Sequence, residues 1–131
     1  MFLDASALCA ILLDEVDGAA YAAKIREASS PRTSAIAIFE TVLAVSRVVT
    51  NDVSIARQEV QKFLSLARVE IIDVGDAELD RALDAFERYG KGRHPARLNM
   101  GDCFAYACAR TQGVPLLFKG DDFSRTDIAA A

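Results

Sequence analysis

The sequence is poor in the residues that usually build thiolate metal sites and disulfide frameworks. Its 131 residues include one histidine and three cysteines. Cys9, Cys103 and Cys108 contain no CxxC pair, and an odd number of thiols cannot pair completely within one chain. We therefore expect no zinc site and interpret the three thiols as buried and free.

Long uncharged apolar runs are also missing. No stretch of about 18 apolar residues without a charge occurs, so no transmembrane helix is predicted. The N-terminal residues show no basic segment followed by an apolar one, which is the pattern of a signal or transit peptide. These two absences predict a cytoplasmic protein that makes no contact with a membrane.

Positive charge is in the minority. The chain has 15 Lys and Arg against 19 Asp and Glu, and its formal net charge is −4. Taken over the whole chain, this balance argues against a nucleic-acid partner, which favours a basic surface. The bases are not evenly spread, however, because the segment 90–97 carries Lys91, Arg93, His94 and Arg97 and no acid.

Half of the chain is apolar, and its length suits a single domain over residues 1–131. Short apolar segments at 2–3, 69–74 and 114–118 predict strands. The segment 32–35 is expected to be a short extended piece at best. Because these strands alternate with helical segments, the sequence predicts an α/β fold with a mainly parallel sheet.

Helical periodicity occurs in six segments. They lie from residue 5 onward and at about 19–28, 36–49, 53–67, 76–89 and 98–111. The third segment is apolar on nearly all sides and is expected to be buried. In the fifth, Leu79, Leu83 and Phe86 are expected to face inward, and the acids, including Glu78, to face solvent.

Four acidic positions stand out because each is isolated in an apolar segment or directly follows a predicted strand. Asp4 follows the first strand, and Asp121 and Asp122 follow the last one. Glu40 is the only charged residue between Thr33 and Ser46, and Asp102 is the only one between Leu98 and Ala109. Carboxylates in apolar surroundings are costly unless they are paired or bind a cation, and these segments offer no buried base.

If the four positions converge, their charges repel one another, and a divalent cation would offset that repulsion. Oxygen ligands alone favour Mg²⁺ or Mn²⁺. A carboxylate cluster that holds such an ion is typical of enzymes that cleave phosphate esters.

Each acid also has an ordinary structural interpretation. Asp4 and Asp102 could cap helices, and the pair Asp121–Asp122 could form a turn. Glu40 fits this interpretation least, because the interior of a helix has no use for a single buried acid.

The segments that carry the acids resemble the PIN-domain family, and in particular the VapC toxins of bacterial toxin–antitoxin pairs. These segments are Phe2–Leu8, Ala37–Glu40, Leu98–Ala107 and Leu116–Phe123. The resemblance extends over nearly the whole chain. It implies a three-layer α/β/α sandwich around a mainly parallel sheet and a Mg²⁺- or Mn²⁺-dependent endoribonuclease. It also implies a homodimer that a cognate, VapB-like antitoxin holds inactive.

By position, Asp4, Glu40 and Asp102 match the first three acids of the family. In many PIN domains the fourth acid lies two residues before the Asp-Phe pair, where this chain has Gly120. Asp122 is therefore the predicted fourth acid, and Asp121 is the second candidate. The resemblance implies that the four acids hold the metal ion and catalyse hydrolysis of an RNA phosphodiester.

Further residues are predicted to support this site. Ser6 matches a family position beside the first acid, where it could hydrogen-bond a ligand carboxylate or a metal-bound water. Asn99 could steady the loop before Asp102, or act only as a turn or cap. The residues predicted to contact RNA are Lys91, Arg93, His94 and Arg97, with Lys119 and Arg125 as possible extensions. For the loop residues the alternative is an ordinary solvated loop.

Three further interpretations compete with the nuclease. A signalling receiver domain would use Lys119 after a late strand, but it would also have paired acids after the first strand, where this chain has Asp4 alone. A haloacid-dehalogenase phosphatase would have a DxD pair there. A PIN fold that only binds, without cleaving, remains open because Gly120 departs from the family pattern.

The apolar helices over 36–67 are the predicted groove for an amphipathic antitoxin helix. Phe63 and Leu64 are the side chains expected to contact it.

Overall fold

Four short strands form one fully parallel sheet in the order β3-β2-β1-β4. The computed structural model describes residues 1–131. The strands are β1 (Phe2–Leu3), β2 (Arg32–Ser34), β3 (Glu70–Ile72) and β4 (Leu116–Leu117). In the register, Phe2 of the central strand β1 faces Arg32 on one side and Leu116 on the other. The predicted parallel sheet is therefore confirmed.

Six α-helices connect and cover the strands. They are α1 (Ala5–Leu12), α2 (Gly18–Glu27), α3 (Ala35–Val45), α4 (Val53–Leu66), α5 (Asp76–Tyr89) and α6 (Met100–Gln112). A π-helical turn over Ser46–Thr50 extends α3, and a 3₁₀ turn over Phe123–Arg125 follows β4. None of these helices is long and apolar enough to span a bilayer.

The two faces of the sheet carry separate cores, which confirms the three-layer arrangement. Phe2 and Leu116 belong to a core shared with α5 and α6. Their strand neighbours Leu3 and Leu117 belong to the other core, which is shared with α1, α3 and α4. This division follows from the alternation of side chains along a strand.

The segment 32–35, expected to be extended at best, provides a central strand. Strand β2 lies between β1 and β3, and Thr33 and Ser34 are buried in it. The hydroxyl groups of both residues form hydrogen bonds with backbone atoms. Thr33 Oγ1 donates to the Leu3 carbonyl at 3.0 Å, and Ser34 Oγ accepts from the Ala37 N–H at 3.3 Å. Polar residues are tolerated at this central position because their hydroxyl groups are hydrogen-bonded.

The inward face of α5 differs from the prediction. Leu79, Leu83 and Phe86 are 44%, 60% and 39% exposed. The buried positions are Ala82, Ala85 and Tyr89. Small side chains let α5 lie close to the alanine-rich α6, and the large apolar side chains lie at the rim of this contact.

The expectation that the acids of α5 all face solvent is wrong for one of them. Glu78 is only 7% exposed, and its carboxylate accepts a hydrogen bond from the Gly75 N–H at 2.9 Å. The side chain therefore closes the first turn of α5, which is the role of an acid at the third helical position.

The third predicted helix is shorter and less buried than expected. It ends at Val45, and the π-helical turn after it ends at Asn51, whose φ of 50° lies in the left-handed region. Phe39, Val48 and Val49 are exposed by more than half. One side of the apolar stretch thus faces solvent.

Burial predicts very different effects for the same substitution at two leucines. Leu8 is fully buried, whereas Leu83 is 60% exposed. Leu8→Ala should reduce the free energy of unfolding by about 2–5 kcal/mol, because it leaves a cavity in a packed core. Leu83→Ala should change it by less than about 1 kcal/mol. Urea denaturation of the two variants measures both values, and equal losses would mean that Leu83 is buried in solution.

Candidate functional site

The first and last acids lie at the same edge of the sheet. Asp4 directly follows β1, and the segment with Asp121 and Asp122 follows β4. Because β1 and β4 are parallel neighbours, their carboxyl ends are adjacent, and the Asp4 N–H donates to the Leu117 carbonyl at 3.0 Å. This edge is where open α/β sheets place their ligands.

Ser6 joins the first acid to the loop after β4. The carboxylate of Asp4 accepts hydrogen bonds from the Ser6 N–H at 2.9 Å and from the Ser6 hydroxyl. The Ser6 oxygen in turn accepts from the Lys119 N–H at 3.0 Å. Asp4 is 3% exposed, so this buried carboxylate is held in one orientation by the first turn of α1.

Asp102 and Asn99 hold each other at the start of α6. The Asp102 N–H donates to Asn99 Oδ1 at 3.0 Å, and the Asn99 N–H donates to Asp102 Oδ2 at 2.8 Å. This reciprocal pair is a capping box, so the cap interpretation of both residues is correct. The other carboxylate oxygen of Asp102 has no hydrogen-bond partner in the chain and is free to accept a ligand.

The Glu40 side chain lies close to the beginning of α6. It lies on α3, is partly buried, and has no hydrogen-bond partner in the chain. Its carboxylate lies directly against Gly101, the residue before Asp102. The contact between α3 and α6 thus brings the second and third acids together.

The charges of these acids act on one another. The pKa of Asp102 is raised to about 7, first by burial and then by the charges of Asp4, Asp122 and Glu40, against the lowering effect of the Asn99 N–H. Burial and the charge of Asp122 also raise the pKa of Asp4, although the Ser6 hydrogen bonds oppose this. The pKa of Glu40 is raised by burial and by Asp4. Mutual effects of this kind require the four carboxylates to lie near one another.

The two acids after β4 differ in their surroundings. Both are exposed. The charge of Asp122 contributes to the raised pKa values of Asp4 and Asp102, and Asp121 is not among the charges that do so. The backbone carbonyl of Asp121 accepts from the Ser124 hydroxyl at 2.6 Å. This placement favours Asp122 as the fourth acid.

No cation of the chain balances these acids. The ammonium group of Lys119, the nearest base in the sequence, forms an ion pair with Glu15 on the loop after α1. No pattern in the sequence predicted this ion pair. Contact between Lys119 and RNA remains a prediction, and it would require the ion pair to open.

The carboxylates suit a hard divalent cation in their chemistry. They offer oxygen ligands only, they carry excess negative charge in partly buried positions, and Asp102 has a free oxygen. In this structure, no group of three or more His, Cys, Asp or Glu side chains is close enough together to coordinate a metal ion. Two of the acids are instead held by the first turns of their own helices.

The basic loop forms a separate concave surface. Its concavity of about 480 Å³ is lined by Lys91, Gly92, Arg93, His94, Pro95 and Arg97. His94 packs edge-on against Tyr89 with the ring centroids 5.2 Å apart, and the Arg93 guanidinium lies over the ring of Phe86. Arg125 reaches this loop, with a hydrogen bond to the Pro95 carbonyl at 3.4 Å, whereas Lys119 is not among the lining residues.

The raised pKa of Asp102 predicts how stability depends on pH. Its ordinary value of 3.8 rises to about 7 in the fold, so between these values the folded state binds more protons than the unfolded state. Stability should therefore be greatest in acid and fall as the pH rises through about 7. With a chelator present, the Tm should be higher at about pH 5 than at about pH 8.

Asp102→Asn should reduce this Tm difference because it removes the titrating group. Asp80→Asn, on an exposed position of α5, is the matched control and should leave the difference unchanged. A difference that Asp102→Asn does not alter would contradict this origin of the pH dependence.

Comparison with known proteins agrees with this geometry. A family model described as the PIN domain matches residues 1–129. The chain is 40% identical to ribonuclease VapC30 of Mycobacterium tuberculosis, over 98% of this chain and 96% of that protein. It is 39% identical to a ribonuclease VapC of Mycolicibacterium smegmatis, over 99% of this chain and 98% of that protein.

Solved structures share the fold at lower identity. The Mycobacterium tuberculosis VapC20 toxin, described as cleaving the sarcin-ricin loop, superimposes with a TM-score of 0.75 at 14% identity and covers 99% of this chain and 97% of its own. A chain of a toxin-antitoxin complex from Klebsiella pneumoniae gives a TM-score of 0.72 at 14% identity, over 99% of this chain and 95% of that one. From the family match and the full-length relatives together, the chain belongs to the PIN-domain family and, within it, to the VapC group.

Proposed function

We propose that this protein is the toxin of a type II toxin–antitoxin system and acts as a metal-dependent endoribonuclease. The observation that carries the proposal is the convergence of Asp4, Glu40, Asp102 and Asp122, whose charges act on one another without a balancing base. Relatives that match nearly the whole chain are named as ribonucleases. A single PIN domain over residues 1–131 would carry the activity.

Mg²⁺ or Mn²⁺ is the cation that this donor set would hold. Asp4 and Asp102 would bind the ion, and Glu40 and Asp122 would complete the shell or orient the attacking water. When bound, the ion lowers the pKa of a water molecule and stabilises charge on the leaving oxygen of the phosphodiester.

The chain itself supplies orientation. The Ser6 hydroxyl holds the Asp4 carboxylate and connects it to the loop after β4, and the Asn99 N–H holds one carboxylate oxygen of Asp102. Side chains held in this way keep their geometry when the substrate arrives, which is the contribution expected of residues that support ligands.

RNA would be held by the basic loop. Lys91, Arg93, His94 and Arg97 surround one concavity, and Arg125 contacts the same loop. An acidic protein needs such a local positive surface because phosphate contacts dominate its affinity for nucleic acid. His94 would contact a phosphate or base and would not act as the catalytic base.

The partners proposed are a cognate, VapB-like antitoxin and a second copy of this chain, in the cytoplasm. A basic antitoxin segment would enter the acidic cleft. The structure changes one detail of the predicted docking groove: Leu64 is 4% exposed and lies in the core, so it cannot contact a partner. Phe63 is only partly buried, and Phe39, Val48 and Val49 are exposed.

A receiver-like module is no longer an alternative, because the chain matches the PIN family over almost its full length. A PIN domain that binds without cleaving is the second candidate, and the departure at Gly120 favours it.

Cleavage of RNA tests the proposal directly. The purified protein should cut total cellular RNA into discrete fragments when Mg²⁺ or Mn²⁺ is added. Asp4→Asn should lower the rate by more than about 100-fold, since even residues behind a metal ligand contribute 10–100-fold. The absence of cleavage by antitoxin-free protein with either metal would favour the binding-only PIN domain.

The same assay separates the two candidates for the fourth acid. Asp122→Asn should reduce cleavage strongly, whereas Asp121→Asn, an identical chemical change one residue away, should leave it within about threefold. The reverse order would assign the role to Asp121.

Charge removal in the basic loop should weaken RNA binding through phosphate contacts. Replacing Lys91, Arg93 and Arg97 together with glutamine should reduce affinity for single-stranded RNA. The slope of log K against log salt should fall by about 0.7 for each phosphate contact that is lost. Filter binding over a range of salt concentrations measures both the affinity for RNA and this slope.

Arg57→Gln on the exposed face of α4 is the charge control for this experiment and should change neither affinity nor slope. If the loop variant binds RNA like the wild type, the loop is an ordinary solvated one.

A further inference from the structure

Gly101 occupies a helical position without a conformational reason to be glycine. It is the second residue of α6, is buried, and does not have a positive φ. Alanine forms helices better than glycine does, so glycine at this position reduces helix stability. The reason for glycine must therefore be space.

The space is taken by Glu40. A Cβ built on Gly101 would lie well under 3.0 Å from both carboxylate oxygens and the carboxyl carbon of Glu40. These three atoms are the nearest neighbours of that position outside the local backbone. The carboxylate thus lies against the backbone of the first turn of α6, beside Asp102.

The beginning of α6 places unpaired N–H groups beside this carboxylate. The N–H groups of Met100 and Gly101 have no acceptor among the hydrogen bonds of the chain. Such free N–H groups give the beginning of a helix a partial positive charge, which offsets part of the repulsion between Glu40 and the other acids. Glu40 has no hydrogen-bond partner in the chain, so its position depends on the close approach of the two helices.

We propose that Gly101 is a positioning residue whose missing side chain allows Glu40 to join the other acids. The inference rests on the proposed function, because the carboxylate that it positions is one of the proposed metal ligands. Gly101 does not itself touch the metal or RNA. A methyl group at this position would displace Glu40 away from Asp102.

A double-mutant cycle in thermal stability tests the contact without any activity. In the Glu40→Ala background, Gly101→Ala should raise the Tm, since no overlap occurs and alanine is the better helix former. In the wild type the same change should give a smaller rise or a fall, because the new methyl group must displace the Glu40 side chain. A shift in the wild type that equals or exceeds the shift in the Glu40→Ala background would overturn the proposal.

A second glycine provides the control. A Cβ at Gly18 would lie 2.5 Å from the Ala10 carbonyl oxygen, so Gly18→Ala also introduces an overlap. Glu40 is not among its neighbours, and Gly18→Ala should therefore lower the Tm equally in both backgrounds.

The affinity for a metal ion distinguishes a positioning role of Gly101 from a role in helix packing alone. Gly101→Ala should weaken Mn²⁺ binding, followed by calorimetric titration, by about tenfold. In the Glu40→Ala background it should have no further effect, because the carboxylate that it displaces is already absent. Unchanged Mn²⁺ affinity in the single variant would show that Gly101 matters only for packing and would overturn the positioning role.

These measurements separate the inference from the ribonuclease itself. A wild-type protein that binds Mn²⁺ and shows the predicted cycle, but cleaves no RNA, would overturn the ribonuclease and keep the role of Gly101. A wild-type protein that binds no Mn²⁺ would overturn both.

Discussion

Repulsion among a few carboxylates is the constraint on which the arrangement of this protein depends. Asp4, Glu40 and Asp102 each have a raised pKa, caused first by burial and then by the charge of other acids of the group. No base of the chain neutralises them, because the ammonium of Lys119 is paired with Glu15. The fold therefore holds together carboxylates that repel one another, and protonation of Asp102 relieves part of this repulsion.

The pairing of the strands and the packing of the helices hold these carboxylates near one another. Parallel pairing of β1 with β4 brings Asp4 next to the loop of Asp122, although the two lie far apart in sequence. The Ser6 hydroxyl and the capping box at Asn99 restrain two carboxylates through short local hydrogen bonds. The third, Glu40, is placed by the packing of α3 against α6 alone. Local hydrogen bonds and helix packing thus position different acids of one site.

Charged residues of opposite sign lie in two separate regions of the surface. The acids lie at the carboxyl edge of the sheet, and the bases surround the concavity of the loop between α5 and α6. The net charge of −4 averages over these two regions and describes neither of them. Apolar side chains left exposed on α3 and α5 are then available to protein partners.

The sequence by itself determined the alternation of strands and helices, the isolation of the acids in apolar segments and the family, because these follow from short-range patterns and fixed spacings. It did not determine that polar β2 is a central strand, that the large apolar residues of α5 lie outside, or that Lys119 pairs with Glu15. The sequence also did not determine the close contact of Glu40 with Gly101. These features depend on which segments meet, and only the tertiary structure decides that, since packing and long-range hydrogen bonds override local propensity.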